Sequence, residues 1–207
     1  MPEGADQPAK PAANCRDRLC QAALLAGTLY GSWLLMMVLH EFGHAIHGWA
    51  SGATVSRVVI GPHLLSQTVF DENPHPLFAA WGGALWGSLL PLAVWGGLAL
   101  AKSARAYLGR FLAAFCLVAN GGYIGVGALT LAGDAGDMTL YGCPRWVPAL
   151  VGLPLAALGL YLWHRQGRFF GIGSEAQPVR RADAVGVLVG VAVLAAAELA
   201  LFRGAAA

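Results

Sequence analysis

Charge is what this sequence has least of. Of its 207 residues, 13 are Lys or Arg and 11 are Asp or Glu, together 12%, where soluble domains carry about 25%. So few charges cannot cover a water-facing surface. With 57% of residues hydrophobic, a cytosolic enzyme around one packed core is excluded. A net charge of only +2 removes the electrostatic basis for a nucleic-acid partner. Cysteine is scarce as well: Cys15, Cys20, Cys116 and Cys143 include no CxxC pair and read as unpaired structural thiols. There is no internal repeat and no second soluble domain. What is present is apolar chain in long runs, and the lipid bilayer is its first partner.

A spanning helix needs about 20 mostly apolar residues. Leu19 to Leu39, Leu77 to Ala101, Phe111 to Gly133, Trp146 to Trp163 and Ala184 to Phe202 supply five such runs. Gly, Ala and Pro recur in them, which suits close helix packing in lipid. Between the first two runs, Ala53 to Ile60 and Leu64 to Phe70 are rich in Val, Ile and Thr and separated by Gly61-Pro62. They read as a small β-hairpin at the membrane surface. The expected fold is therefore an all-α polytopic membrane protein, with about five transmembrane helices and a hairpin between helices 1 and 2. Residues 1–18, with three prolines and no apolar periodicity, read as a disordered tail. No cleavable signal peptide is evident. Residues 19–145 form the core, and 146–207 hold two further helices joined by a basic loop.

At the end of the first run stands His40-Glu41-Phe42-Gly43-His44. Histidines at i and i+4 share one helix face and can reach one metal ion. Glu41 is rotated about 100° from His40, so it borders the ion without ligating it. That is the placement a carboxylate needs to deprotonate a zinc-bound water. A chain of this composition produces the pattern by chance roughly 0.004 times, and ionisable groups within spans are functional by default. His47 lies on the same face but about 10.5 Å along the axis from His40, too far to share its ion. A third ligand must come from elsewhere. Counting crossings brings the end of the third run back to the face holding the histidines, where the chain reads Asp134-Ala135-Gly136-Asp137. Either aspartate can complete a metal set.

A membrane-embedded HEFGH, a β-hairpin, a Gly/Ala/Pro-rich span and an aspartate after a third span resemble the site-2 protease group of intramembrane zinc metalloproteases, peptidase family M50. The resemblance covers roughly residues 25–145. It implies a zinc ion held by His40, His44 and an aspartate, with Glu41 as catalytic base. The group's second motif, Asn and Pro ahead of Leu-Asp-Gly, is not reproduced; Asn120 is followed by Gly121-Gly122-Tyr123. Shorter M50-like sequences carry an aspartate about nine residues before a Gly-x-Pro such as Gly142-Cys143-Pro144, which favours Asp134 as third ligand and leaves Asp137 in reserve. The function so implied is hydrolysis of a peptide bond in or near a transmembrane segment of a membrane protein or peptide substrate. The alternative is a catalytically silent M50-like protein acting as a binding or regulatory module. The expected location is integral and multi-pass, in a bacterial cell membrane.

Other polar residues carry less. Asn120, midway along a span, reads as a packing amide or a substrate contact. His75 reads as a rigid loop residue, and Arg110 and Glu198 as snorkelling groups. Orientation stays open. Lys10, Arg16, Arg18, Lys102, Arg105, Arg110, Arg165, Arg168, Arg180 and Arg181 fall on the face of the N-terminus (face A), and Arg57, Arg145 and Arg203 on the histidine side (face B). The positive-inside rule puts face A in the cytoplasm, whereas members of the resembled group generally keep their site towards the cytosol. Substrate and oligomeric state are not encoded in any recognisable feature.

Overall fold

The computed structural model describes residues 15–63 and 65–202. Residues 1–14 of the expected disordered tail, Leu64 at the start of the second expected strand, and Arg203 of the orientation count lie outside the described residues; residues 15–18 of that tail are helical instead. Helix α1 runs Cys15–Ala50, about 54 Å. It therefore begins before the first apolar run and continues past the histidine pair. No proline interrupts Leu39 to Ala50. The helix stops only where Gly52 takes a left-handed backbone, φ +83°, and the Ala53 N–H returns to the Gly48 carbonyl at 2.8 Å, a left-handed C-terminal closure. The His-Glu-His cluster thus lies inside a helix, where the sequence placed it at a span's end.

Strands β1 (Thr54–Val59) and β2 (Gln67–Glu72) form an antiparallel hairpin, with Val58 opposite Thr68 and register shifts near Val55. Helix α2 (Pro76–Leu100) opens on a proline, where the missing N–H is harmless. Helix α3 (Ala106–Thr130) ends at Leu131, whose left-handed φ of +56° swings the chain directly into α4 (Gly133–Leu140). Arg145 holds that corner, donating from Nε and Nη2 to the carbonyls of Ala128 and Leu129 at 3.3 and 2.9 Å. A cation at those carbonyls also complements the helix dipole. Helix α5 (Trp146–Trp163), a short 3-10 helix (Gln166–Phe170) and α6 (Arg181–Phe202) complete the chain.

Five of these helices are long and apolar enough to cross a bilayer; α3 is the most buried and α6 the least. The protein is an integral, multi-pass membrane protein. Lipid gives no hydrophobic drive for helix association, so close packing must hold the bundle together. Gly43 and Gly82 bring α1 and α2 into backbone contact; a Cβ on either would strike the carbonyl of the other. Met36 and Met37 of α1 pack on Cys116 of α3, while Ala80 and Ala84 of α2, Ile124 of α3 and Met138 of α4 form a second cluster. Together these contacts fix α1, α2, α3 and α4 around one cavity. The three cysteines described, Cys20, Cys116 and Cys143, are unpaired.

Candidate metal centre

Three side chains from two parts of the chain converge between α1, α2 and α3. His40 Nε2 and His44 Nε2 are 3.1 Å apart, and Asp134 Oδ2 stands 3.0 and 3.2 Å from them. Both histidines are buried, and Asp134 nearly so. Helical periodicity places the imidazoles one turn apart. The left-handed turn at Leu131 carries Asp134 back to them in the first turn of α4, where a carboxylate also suits the helix dipole. Gly83 of α2 makes the space: a Cβ there would collide with Nε2 of both histidines.

Hydrogen bonds behind the ligands determine which nitrogens face the centre. The His44 Nδ1–H donates to the Ala79 carbonyl at 2.9 Å, and that acceptor admits no other tautomer. Asn120 donates from Nδ2 to the Cys116 carbonyl at 2.9 Å, leaving its Oδ1 to accept from His40 Nδ1 at 2.6 Å. In the neutral imidazoles both Nε2 lone pairs therefore point at Asp134 Oδ2, a third acceptor, which is buried with no hydrogen-bond partner among the described residues. Three acceptors packed together call for a cation. Ligands about 2.05 Å from a tetrahedral zinc stand roughly 3.3 Å apart, close to the spacing here, so the donor set fits zinc.

Glu41 is buried beside the histidines, and both its oxygens are occupied from the hairpin. Ser66 Oγ donates to Oε1 and Thr68 Oγ1 to Oε2, each at 2.6 Å. Thr68 and Phe70, two apart in β2, share one strand face, and Ser66 immediately precedes the strand. Phe70 continues that face and lays its ring in the space left by Gly48. The hairpin is thus fastened to α1. Each Glu41 oxygen keeps a second lone pair for a proton. Tyr123 of α3 stands edge-on to His40 at 5.8 Å.

These residues line a cavity of about 770 Å³, within the range of small-molecule and peptide sites. Asp137 lines it too, near the mouth, but is not among the side chains whose ligand atoms lie within 4.8 Å of one another. Partial burial and then the charge of Asp134 push its carboxyl up. His47 donates from Nδ1 to the Phe78 carbonyl at 2.8 Å and stacks on the Phe78 ring, a tie between α1 and α2. Sequence reasoning missed Ser66, Thr68, Gly83 and Tyr123, and did not see Asn120 as the partner of His40. A polar residue midway along a span was the one signal available for Asn120. Replacing it with Ala should weaken zinc affinity about 10- to 100-fold, read by competition against a chromogenic chelator.

Comparison with known proteins adds one relative. The chain is 30% identical over 148 residues to the putative multidrug resistance protein MdtD of Klebsiella pneumoniae (strain 342), over 65% of this chain and 31% of the relative. It spans about a third of the length of that curated relative, 31%. No family model and no solved structure matches the chain.

Proposed function

We propose that the protein is an intramembrane zinc metalloendopeptidase, which cleaves a peptide bond in or near a transmembrane segment of a membrane protein. The observation that carries this reading is the pairing of a three-acceptor set, His40, His44 and Asp134, with a carboxylate next to it that does not belong to the set. Zinc held by those three would acidify water and polarise the scissile carbonyl. Glu41 then takes the proton of the attacking water and returns it to the departing amine. Ser66 and Thr68 hold that carboxylate in one orientation, and Asn120 and the Ala79 carbonyl fix the two tautomers. A substrate helix hides its carbonyls in i to i−4 bonds, so a short unwound stretch must enter the cavity. Depth supports this. Asn120 lies ten residues before the end of α3, about 15 Å inside the span, and His40 reaches it.

The test uses full-length protein in liposomes with a single-span membrane substrate. Chelation should stop cleavage and added zinc restore it; cleavage indifferent to chelator would refute the proposal. Replacing Ser66 with Ala and Thr68 with Val together should lower kcat about 10- to 100-fold, since each hydroxyl makes a charge-assisted bond. Bound metal should be unchanged, because neither residue touches the ligand set.

A second reading, membrane transport, is favoured by the name of the Klebsiella relative, a putative multidrug resistance protein. It predicts drug efflux dependent on the chain and insensitive to Glu41→Gln, so a susceptibility assay on cells expressing each form separates the two.

A further inference from the structure

A second concentration of charge lies at the opposite ends of the spans, away from the metal centre. Where α5 gives way to the 3-10 helix, Arg110, Tyr161, His164, Arg165 and Arg168 enclose a cavity of about 260 Å³. Its walls are held in place. Arg110 donates from Nε to the Leu162 carbonyl at 2.8 Å, and the Arg168 guanidinium lies 4.7 Å over the Phe169 ring. Arg165 takes a left-handed backbone, φ +60°, which few residues other than glycine adopt. Among the described residues one carboxylate is seen to pair with the group: Glu175 accepts from Arg165 Nη2 at 3.0 and 3.1 Å and stands 4.0 Å from Arg168 Nη1. The neighbouring Asp183 is committed to Arg105, Arg180 and Tyr107. Three guanidiniums against one carboxylate leave two positive charges uncompensated. In addition, Arg168 Nε is buried and has no hydrogen-bond partner among the described residues.

We propose that this cavity binds a phosphate-ester anion, supplied by the headgroup of an anionic phospholipid. Two uncompensated charges suit a phosphate monoester or diester, and the fork of a guanidinium matches its oxygens. The location argues for lipid. The cavity lies at the C-terminal end of α5, a helix long and apolar enough to span the bilayer, so at the level of the headgroups, beside Tyr161, which is 71% exposed as interfacial tyrosines are. Below it, Leu160 and Leu153 are also exposed on α5 and give acyl chains an apolar track. Basic pockets at helix ends are a recurrent form of anionic-lipid recognition.

The experiment titrates full-length protein in mild detergent with phosphatidylglycerol, phosphatidylcholine or inorganic phosphate and counts bound molecules by native mass spectrometry. Wild type should bind phosphatidylglycerol in preference to phosphatidylcholine. Arg168→Gln should weaken that binding about fivefold, the effect of one basic group. Glu175→Gln removes the competing carboxylate from an exposed position and should tighten it, a change that misfolding does not produce. Inorganic phosphate that binds alone and displaces the lipid would make free phosphate the source of the same anion. Equal phosphatidylglycerol binding by wild type and both variants, or no preference over phosphatidylcholine, would overturn the proposal.

Discussion

Glu41→Gln is expected to reduce cleavage by about 10²- to 10⁴-fold, the range that a positioned general base contributes. The substitution keeps the shape of the side chain and removes its capacity to take a proton. It should also keep the fold. The hydroxyls of Ser66 and Thr68 that donate to Glu41 at 2.6 Å can turn to donate to an amide oxygen or accept from an amide N–H. Because Glu41 lies outside the His40–His44–Asp134 group, bound zinc should stay at the wild-type level. The loss should fall on kcat with KM little changed, since the role proposed for Glu41 is on the proton in flight rather than on bound substrate. A variant that cleaves at the wild-type rate would remove Glu41 from the mechanism.

Asp134→Ala should abolish stoichiometric zinc and, with it, all cleavage, whereas Asp137→Ala should retain both within a few-fold. Two histidines alone leave zinc short of the three protein ligands of a catalytic site. The loss is separable from misfolding. Asp134 Oδ2 stands 3.0 and 3.2 Å from the two imidazole nitrogens and belongs to α4, outside the helices that span the bilayer. Circular dichroism and thermal unfolding of the apo form separate a lost ligand from a lost fold. Elemental analysis of the two purified variants decides the matter. Zinc retained by Asp134→Ala and lost by Asp137→Ala would transfer the ligand role to Asp137.

The architecture was legible because its signals are long. Runs of apolar residues gave five spans, a β-branched pair around Gly61-Pro62 gave the hairpin, and the i, i+4 spacing of His40 and His44 put two imidazoles on one helix face. Counting crossings was enough to bring the Asp134–Asp137 segment to the histidines. It could not choose between two aspartates three residues apart; the left-handed turn at Leu131 and the register of α4 bring Asp134 rather than Asp137 against the histidines. The continuation of α1 to Ala50 was hidden, since a cluster of polar residues reads as an exit from the membrane when its partners are unknown. Helix α4 was hidden too, because Gly, Asp and Thr in eight residues read as a turn. Ser66 and Thr68 are ordinary hairpin residues until the hairpin is folded against α1. Asn120 stood out as a polar group in a span, but its partner is 80 positions away in the chain.

Bound zinc and cleavage rate, measured on the same samples as zinc is returned to chelated full-length protein in liposomes, test the proposed chemistry most directly. A peptidase built on His40, His44 and Asp134 gives a rate that climbs in step with bound zinc and levels off at one ion per chain. Cleavage by the metal-free protein, or a chain carrying one zinc that cuts no membrane substrate, would contradict it.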